Sequence, residues 1–247
     1  FKRIILMRHK NIVILTGAGI SKESGIDTFR DRGGIWSKVK VENVATPQAY
    51  ERDPSTVQNF YNERRNNLLD TSIKPNAAHF ALAKLEREWP GNVAVVTQNI
   101  DNLHEAAGTK NLIHMHGELL KARCANCGLV LDWEKPLGEG EKCPDCHQKT
   151  LRPHVVWFGE MPLMMDSIDQ LLSDCNLFLS IGTSGNVYPA SGFVQVANSC
   201  GSHTVEINLE PSEGASLFRE SKYGVATKLV PDFVDTLISN QQASLSI

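Results

Sequence analysis

Residues 11–21 read NIVILTGAGIS: four aliphatic residues in a row, then threonine and two glycines. A continuous apolar run of this length, closed by small residues, has the pattern of a strand buried on both faces. Runs of the same shape recur at NVAVVTQNID (92–101), NLFLSIGTSG (176–185), HTVEINLEP (203–211) and, less sharply, GVATKLV (224–230). Helically spaced stretches separate them, among them AAHFALAKLERE (77–88) and SIDQLLSDC (167–175). This alternation predicts an α/β fold, a Rossmann-like doubly wound parallel sheet with helices on both faces. Ligands of such sheets bind beyond the carboxyl ends of the strands. The positions to inspect are therefore Gly17 to Ser21, Gln98 to Asp101, Gly182 to Ser184 and Asn208 to Glu210.

Two stretches interrupt the pattern. Residues 31–79 read as helix and loop, and residues 119–153 are rich in Cys, Gly, Pro and charge. They are expected to form a smaller lobe, one helical module and one cysteine-bearing module. The large lobe is then residues 1–30, 80–118 and 154–240, all within a single domain of residues 1–247. In TGAGIS the glycines Gly17 and Gly19 would let backbone amides approach a pyrophosphate where a helix begins. The G-x-G-x-x-G fingerprint fails at its third glycine, because position 22 is Lys, which argues against an ordinary hydride-transfer dehydrogenase. Glu210, closing its run, offers a carboxylate to a ribose. Asp27, Phe29 and Arg30 sit in a Gly-punctuated loop that could close over a ligand.

The formal charge of -3 supplies no basic field for nucleic acid, so no obligate nucleic-acid partner is expected. No apolar run reaches the roughly 18 residues of a membrane span, and the opening FKRIILMRHK lacks a signal-peptide cleavage pattern. The expectation is a cytoplasmic protein without membrane attachment; Phe1 in place of Met suggests native residues upstream. Of six cysteines, four form two Cys-x-x-Cys hooks: Cys124 with Cys127, and Cys143 with Cys146, fifteen residues apart. That spacing fits a four-sulfur structural zinc site with no open coordination position, one ion per chain. His147 is a minor rival ligand, and Cys175 and Cys200 read as packing residues.

In PSTVQNFYNERRNNLLD (54–70), Val57, Phe60, Tyr61, Arg64 and Leu68 share one helical face. Arg64 falls in the apolar stripe, and Arg65, about 100° further round, is expected to face solvent. Arg64 either lays its methylenes along the core and snorkels outward or receives a buried anion.

GAGIS, GIDTFR, TQNID, HMHGEL, the four-cysteine insert, GTS and NLE occur together and in the order shown by sirtuins, the NAD-dependent protein lysine deacylases. The resemblance runs from about residue 11 to residue 235. YNERR, PNAAH, RPHVVWFGEMP and VYPA resemble the bacterial CobB-type members most. This resemblance implies an enzyme that consumes NAD and removes acetyl and acidic acyl groups (succinyl, malonyl) from lysine, releasing nicotinamide and 2'-O-acyl-ADP-ribose. It implies that His116 is the general base, that Asn99 positions the reacting ribose or a water, and that Asp101 binds the nicotinamide carboxamide. Gln98 and Ile100 would line the same pocket. Gly17, Ala18, Gly19, Ile20, Asp27, Phe29 and Arg30 match the cofactor loop; Gly182, Thr183, Ser184, Asn208, Leu209, Glu210 and Ala226 match the adenosine side.

Val156, Trp157, Phe158 and Gly159, with Val187 and Tyr188, match the segments between which sirtuins hold an acylated-lysine protein substrate as an added strand. Tyr61 and Arg64 would take the distal carboxylate of an acidic acyl group, with Ala45 leaving room for its length. His114 is expected to be a packed or loop-capping histidine. The alternative activity is mono-ADP-ribosyl transfer from the same NAD site. A monomer is expected.

Overall fold

A computed structural model describes residues 10–28, 39–138 and 140–245. Its strands are β1 (Asn11–Thr16), β2 (Asn92–Thr97), β3 (Leu112–His114), β4 (Gly117–Cys124), β5 (Val130–Asp132), β6 (Leu151–Val155), β7 (Leu177–Ile181), β8 (His203–Asn208) and β9 (Glu220–Tyr223). Six of them form one sheet in the order β3-β2-β1-β7-β8-β9, every neighbouring pair parallel. The order reverses direction beside β1, so the exits of β1 and β7 flank a topological switch point, where such sheets hold their ligands.

Side-chain alternation explains why both faces are covered. Ile12, Ile14, Val93, Val95, Leu177 and Leu179 point to one face and meet Leu82 and Leu85 of the Ala77–Glu88 helix and Val230, Val234 and Ile238 of the Ala226–Leu245 helix. Val13, Leu15, Val96 and Phe178 point to the other and meet Ile168 and Leu172 of the Met165–Asp174 helix and Phe193, Val194 and Ala197 of the Phe193–Ser199 helix. Full burial of such a side chain contributes about 1.5–3 kcal/mol. The expected doubly wound sheet is thus the observed one.

The second sheet is antiparallel, in the order β5-β4-β6, and its own apolar cluster includes Ala122, Trp133, Leu137 and Leu151 around Cys124 and Cys143. A further cluster joins it to the helical region: Val44, Ala45, Val57, Phe60, Tyr61 and Leu68 pack on Leu119, Val155 and Trp157.

Two expectations need correction. GVATKLV is not a strand, because residues 226–230 begin the Ala226–Leu245 helix. The sheet's last strand is instead β9, ESKY, whose alternating exposure marks it as an edge. Arg65 does not face solvent; it is 0% exposed, since the Pro54–Leu68 helix is covered on that side as well. Among the described residues no helix is long and apolar enough to cross a membrane.

The Ala77–Glu88 helix is tied to the loop after β1 by its N-cap. Asn76 Oδ1 accepts from Ala78 N–H at 2.9 Å, while Asn76 Nδ2 donates to Ile20 O at 2.8 Å and to Ser24 Oγ at 2.9 Å. Asn76→Ala removes cap and tie together and should cost about 1–2 kcal/mol. The expected readout is a lower urea midpoint at unchanged m; Asn76→Asp, which keeps the cap acceptor alone, should fall between.

Candidate functional site

The polypeptide leaves β1 through Gly17–Ala18–Gly19 and leaves β7 through Gly182, and the two exits touch backbone to backbone. A Cβ on Gly17 would lie 2.7 Å from Gly182 O, and one on Gly19 would lie 2.7 Å from Gly182 Cα. Gly182 itself has φ +64, a left-handed conformation that favours glycine. The N–H groups of Gly17 and Gly19 are not free for a pyrophosphate as expected, since they donate to Ile181 O at 3.0 Å and Gly182 O at 2.9 Å. These glycines serve the close approach of two strand ends.

Beyond the contact opens a cleft of about 1040 Å³. Its wall carries Gly17, Ala18, Gly19, Gln98, Asn99, Ile100, His116, Gly182, Thr183, Ser184, Asn208, Leu209, Glu210 and Ala226, so the structure gathers most of the expected cofactor and catalytic positions into one space. Ile20 is 0% exposed and packs in the core behind the wall. Asp27 is exposed, and its neighbour Thr28 is on the wall. Phe29 and Arg30 lie outside the described residues.

Under the floor of the cleft is a buried polar network centred on Ser21, which the sequence marked for inspection at the end of GAGIS but gave no role. Ser21 Oγ donates to Asp101 Oδ2 at 3.0 Å and accepts from Asn99 Nδ2 at 3.2 Å. His79 Nε2 lies 3.4 Å from the same hydroxyl. Asn99 Nδ2 also donates to Gly17 O at 3.1 Å, so both amide hydrogens are committed and what Asn99 can offer a ligand is its carbonyl Oδ1. Asp101 is not on the cleft wall; it accepts from Ser21 and from Leu103 N–H at 3.1 Å. Burial raises its pKa and lowers that of His79 to about 4.

His116 Nδ1 lies 3.1 Å from Gln98 O. A backbone carbonyl only accepts, so Nδ1 carries the proton and Nε2 keeps its lone pair. Burial lowers the pKa of His116, which holds this neutral form at neutral pH. His114 is packed as expected: Nδ1 meets Asn99 O at 3.2 Å and Nε2 meets Glu105 Oε1 at 2.9 Å.

Towards the small sheet the wall carries Ala45, Phe60, Tyr61 and Arg64, with Val156, Trp157, Phe158 and Gly159 beside them. Arg64 stacks its guanidinium 3.3 Å over the Phe60 ring and donates from Nη1 to Phe60 O at 2.8 Å. Its Nε is shielded from solvent and has no partner among the described residues. Burial keeps the Tyr61 phenol protonated, a donor. Three successive amides of the expected clamp segment are already engaged: Val156 N–H donates to His116 O (2.9 Å), Trp157 N–H to Glu160 Oε2 (2.8 Å) and Phe158 N–H to Ala45 O (3.0 Å). Facing it, Val187 and Tyr188 are on the wall, Tyr188 79% exposed. Glu160, not foreseen, holds the segment through ion pairs with Arg152 at 2.6 Å and Arg123 at 2.8 Å.

The four hook cysteines converge. Cys124 and Cys146 Sγ are 3.5 Å apart, Cys127 and Cys143 Sγ are 3.6 Å apart, and all four lie within 4.8 Å of one another. These separations are too long for disulfides and near the roughly 3.8 Å edge of a sulfur tetrahedron with Zn–S of about 2.3 Å. The donor set therefore fits zinc. His147 is not in this group.

Comparison with known proteins agrees with this arrangement. The Sir2 family profile matches residues 17–189. An NAD-dependent protein deacylase of Pasteurella multocida is 58% identical over 93% of this chain and 98% of its own length. A solved complex of a Sir2 homolog with NAD superposes with a TM-score of 0.87 at 35% identity, covering 97% of this chain and 93% of that one. A Sir2 protein bound to acetylated peptide gives a TM-score of 0.80 at 29% identity over 92% and 93%.

Structural zinc sites of this kind contribute about 10 kcal/mol or more of apparent binding free energy. Stripping the metal with a chelator should therefore open residues 125–150 to protease while the six-stranded sheet stays protected. An unchanged cleavage pattern in metal-free protein would contradict the structural role.

Proposed function

The chain belongs to the Sir2 family, and from that premise we propose how its cleft, as that of an NAD-dependent protein lysine deacylase, handles its two substrates. The observation that carries the reading is the shared wall: a base-competent histidine, four strand ends, and a guanidinium with a phenol all border one cleft.

Bound NAD supplies an electrophilic ribose carbon with nicotinamide as leaving group. The strand exits at Gly17–Gly19 and Gly182–Ser184 hold the dinucleotide, with Asn208 to Glu210 and Ala226 at its adenosine end. Asn208 Nδ2 donates to Thr183 O at 2.8 Å, which fixes the two adenosine-side segments against each other. Asn99 orients the ribose or a water through Oδ1. Asp101 acts from behind, through Ser21, and reaches the carboxamide only if the floor shifts. His116 takes a ribose hydroxyl proton at Nε2, the atom its Gln98 contact leaves open. The acyl-lysine peptide lies between Val156–Gly159 and Val187–Tyr188. The hooks' thiolates bind the structural zinc and take no part in the chemistry. Thiolates reserved for a metal suit a reducing compartment, which supports the cytoplasm as the working place.

Arg64 and Tyr61 set the acyl preference. A distal carboxylate would accept from the guanidinium and from the phenol, both of which belong to residues on the cleft wall. Plain acetyl has no group for them but still fits. ADP-ribosyl transfer would leave this receptor without purpose, so deacylation is the better reading.

Each charge-assisted hydrogen bond contributes about 1.5–3 kcal/mol, so Arg64→Met should lower kcat/KM on a succinyl-lysine peptide by about tenfold or more and that on the acetyl peptide far less. An equal loss on both would make Arg64 purely structural. The working imidazole is neutral, and burial holds its pKa below the ordinary value of about 6.5, so kcat/KM should be flat through pH 7 and fall only below pH 6.5. An acidic limb centred above 6.5 would remove His116 from this role.

A further inference from the structure

The helix that carries Tyr61 and Arg64 is latched from its other side. Asn62 meets the backbone of Leu137 in both directions: Nδ2 donates to Leu137 O at 2.9 Å, and Oδ1 accepts from Leu137 N–H at 2.8 Å. The same Oδ1 accepts from Arg65 Nη1 at 2.7 Å, and Arg65 Nε donates to Leu119 O at 3.1 Å. Leu119 lies on β4, which ends in Cys124, and Leu137 is 1% exposed in the apolar cluster that includes Cys124 and Cys143. Neither Asn62 nor Arg65 is on the cleft wall.

Arg65 is an expensive choice at this position. It is fully buried, forms no ion pair among the described residues, and burial lowers its pKa. Desolvating an unpaired cation for two hydrogen bonds to neutral acceptors contributes little stability. What the pair does fix is rotation. A side chain matching a peptide group in both directions allows the helix one orientation about its axis. With side chains reaching about 5–6 Å from that axis, a turn of about 10° displaces the Arg64 guanidinium by about 1 Å. An error of that size is enough to spoil a hydrogen bond to a carboxylate. A short acyl group that never reaches Arg64 would be indifferent to it.

We propose that Asn62, with Arg65 beneath it, is a positioning residue that sets the rotation of the acyl-recognition helix against the cysteine-bearing sheet and so sets selectivity for carboxylate-bearing acyl groups without touching substrate. This rests on the reading of Tyr61 and Arg64 as the carboxylate receptor.

The test is steady-state kinetics of zinc-loaded Asn62→Ala on succinyl- and acetyl-lysine forms of one peptide, alongside metal analysis, with Arg64→Met run in parallel. Loss of the latch should raise KM for the succinyl peptide about tenfold, leave its kcat and the acetyl KM within about twofold, and retain one zinc per chain. Asn62→Asp keeps the acceptor for Leu137 N–H and Arg65 but loses the donor; it should fall between, and it decides the matter if Asn62→Ala does not fold. An equal change in KM for both peptides, no change in either, or loss of zinc overturns the proposal. If Arg64→Met discriminates the peptides and the Asn62 variants do not, positioning fails and the receptor stands. If Arg64→Met does not discriminate, the receptor fails and positioning with it.

Discussion

Two strand ends that touch through their backbones set the geometry of everything above the sheet. At Gly17, Gly19 and Gly182 the contact admits no side-chain carbon, since each would meet a carbonyl oxygen, an amide or an α-carbon at under 3 Å. With the exits of β1 and β7 this close, the chain after Gly19 must turn downward. That turn delivers Ser21 to Asn99 and Asp101 at the end of β2. A bulkier residue at any of the three positions would separate the strand exits, and the polar floor with them.

The floor is held together by hydrogen bonds among buried side chains. Ser21 donates to Asp101 and accepts from Asn99 and, at 3.4 Å, from His79 Nε2, whose Nδ1 takes the Asn76 N–H; Asn99 commits both amide hydrogens, and Thr16 Oγ1 donates to Thr97 Oγ1 at 2.9 Å while His104 Nε2 stands 3.0 Å away. Burial depresses the pKa of His79 and of His104 and keeps both imidazoles neutral. Such a network is rigid because any member that moves leaves a neighbour unpaired in a low-dielectric interior. It is a suitable base for His116 and Asn99, whose unengaged atoms, Nε2 and Oδ1, are defined by what their other atoms are already doing.

The core strands were legible in the sequence because they are rich in aliphatic residues on both faces: β1 and β2 are near-continuous apolar runs, while β7 carries one buried Ser180 and β8 buries Thr204 and Glu206. β9 was missed because an edge strand reading ESKY has no apolar run to show, and GVATKLV drew attention away with β-branched residues that belong to the first turns of a helix. The real signal there was Val230, Val234 and Ile238 at four-residue spacing, which begins at the last residue of the misread stretch. Periodicity also failed at Arg65. A helix wedged between a cleft and a second sheet has no solvent face at that point, and adjacent residues can both be buried for different reasons. Motif order pointed to many of the residues that line the cleft, though Ile20 and Asp101 lie behind its wall, and it did not show their hydrogen-bond commitments. That the amides of Gly17, Gly19, Val156 and Phe158 are already engaged depends on tertiary partners far away in the chain, and the Trp157 amide on the side chain of Glu160 three residues on.

The turn that follows the glycine contact is also fastened at its outer edge. Glu23, on the cleft wall, accepts from Thr227 N–H at 3.0 Å and from Thr227 Oγ1 at 2.9 Å, across 204 residues of sequence. β1 likewise lies between β2 and β7, both of them far from it along the chain. Contacts of such separation are slow to form, because long loops must close before they are rewarded. During synthesis the amino-terminal residues emerge first, so the cofactor turn waits unfastened until the last helix begins. A ribosome-bound chain that stops short of Thr227 can build much of the sheet yet lacks the outer clasp of its dinucleotide site. The competence to bind cofactor is therefore among the last properties the growing chain acquires.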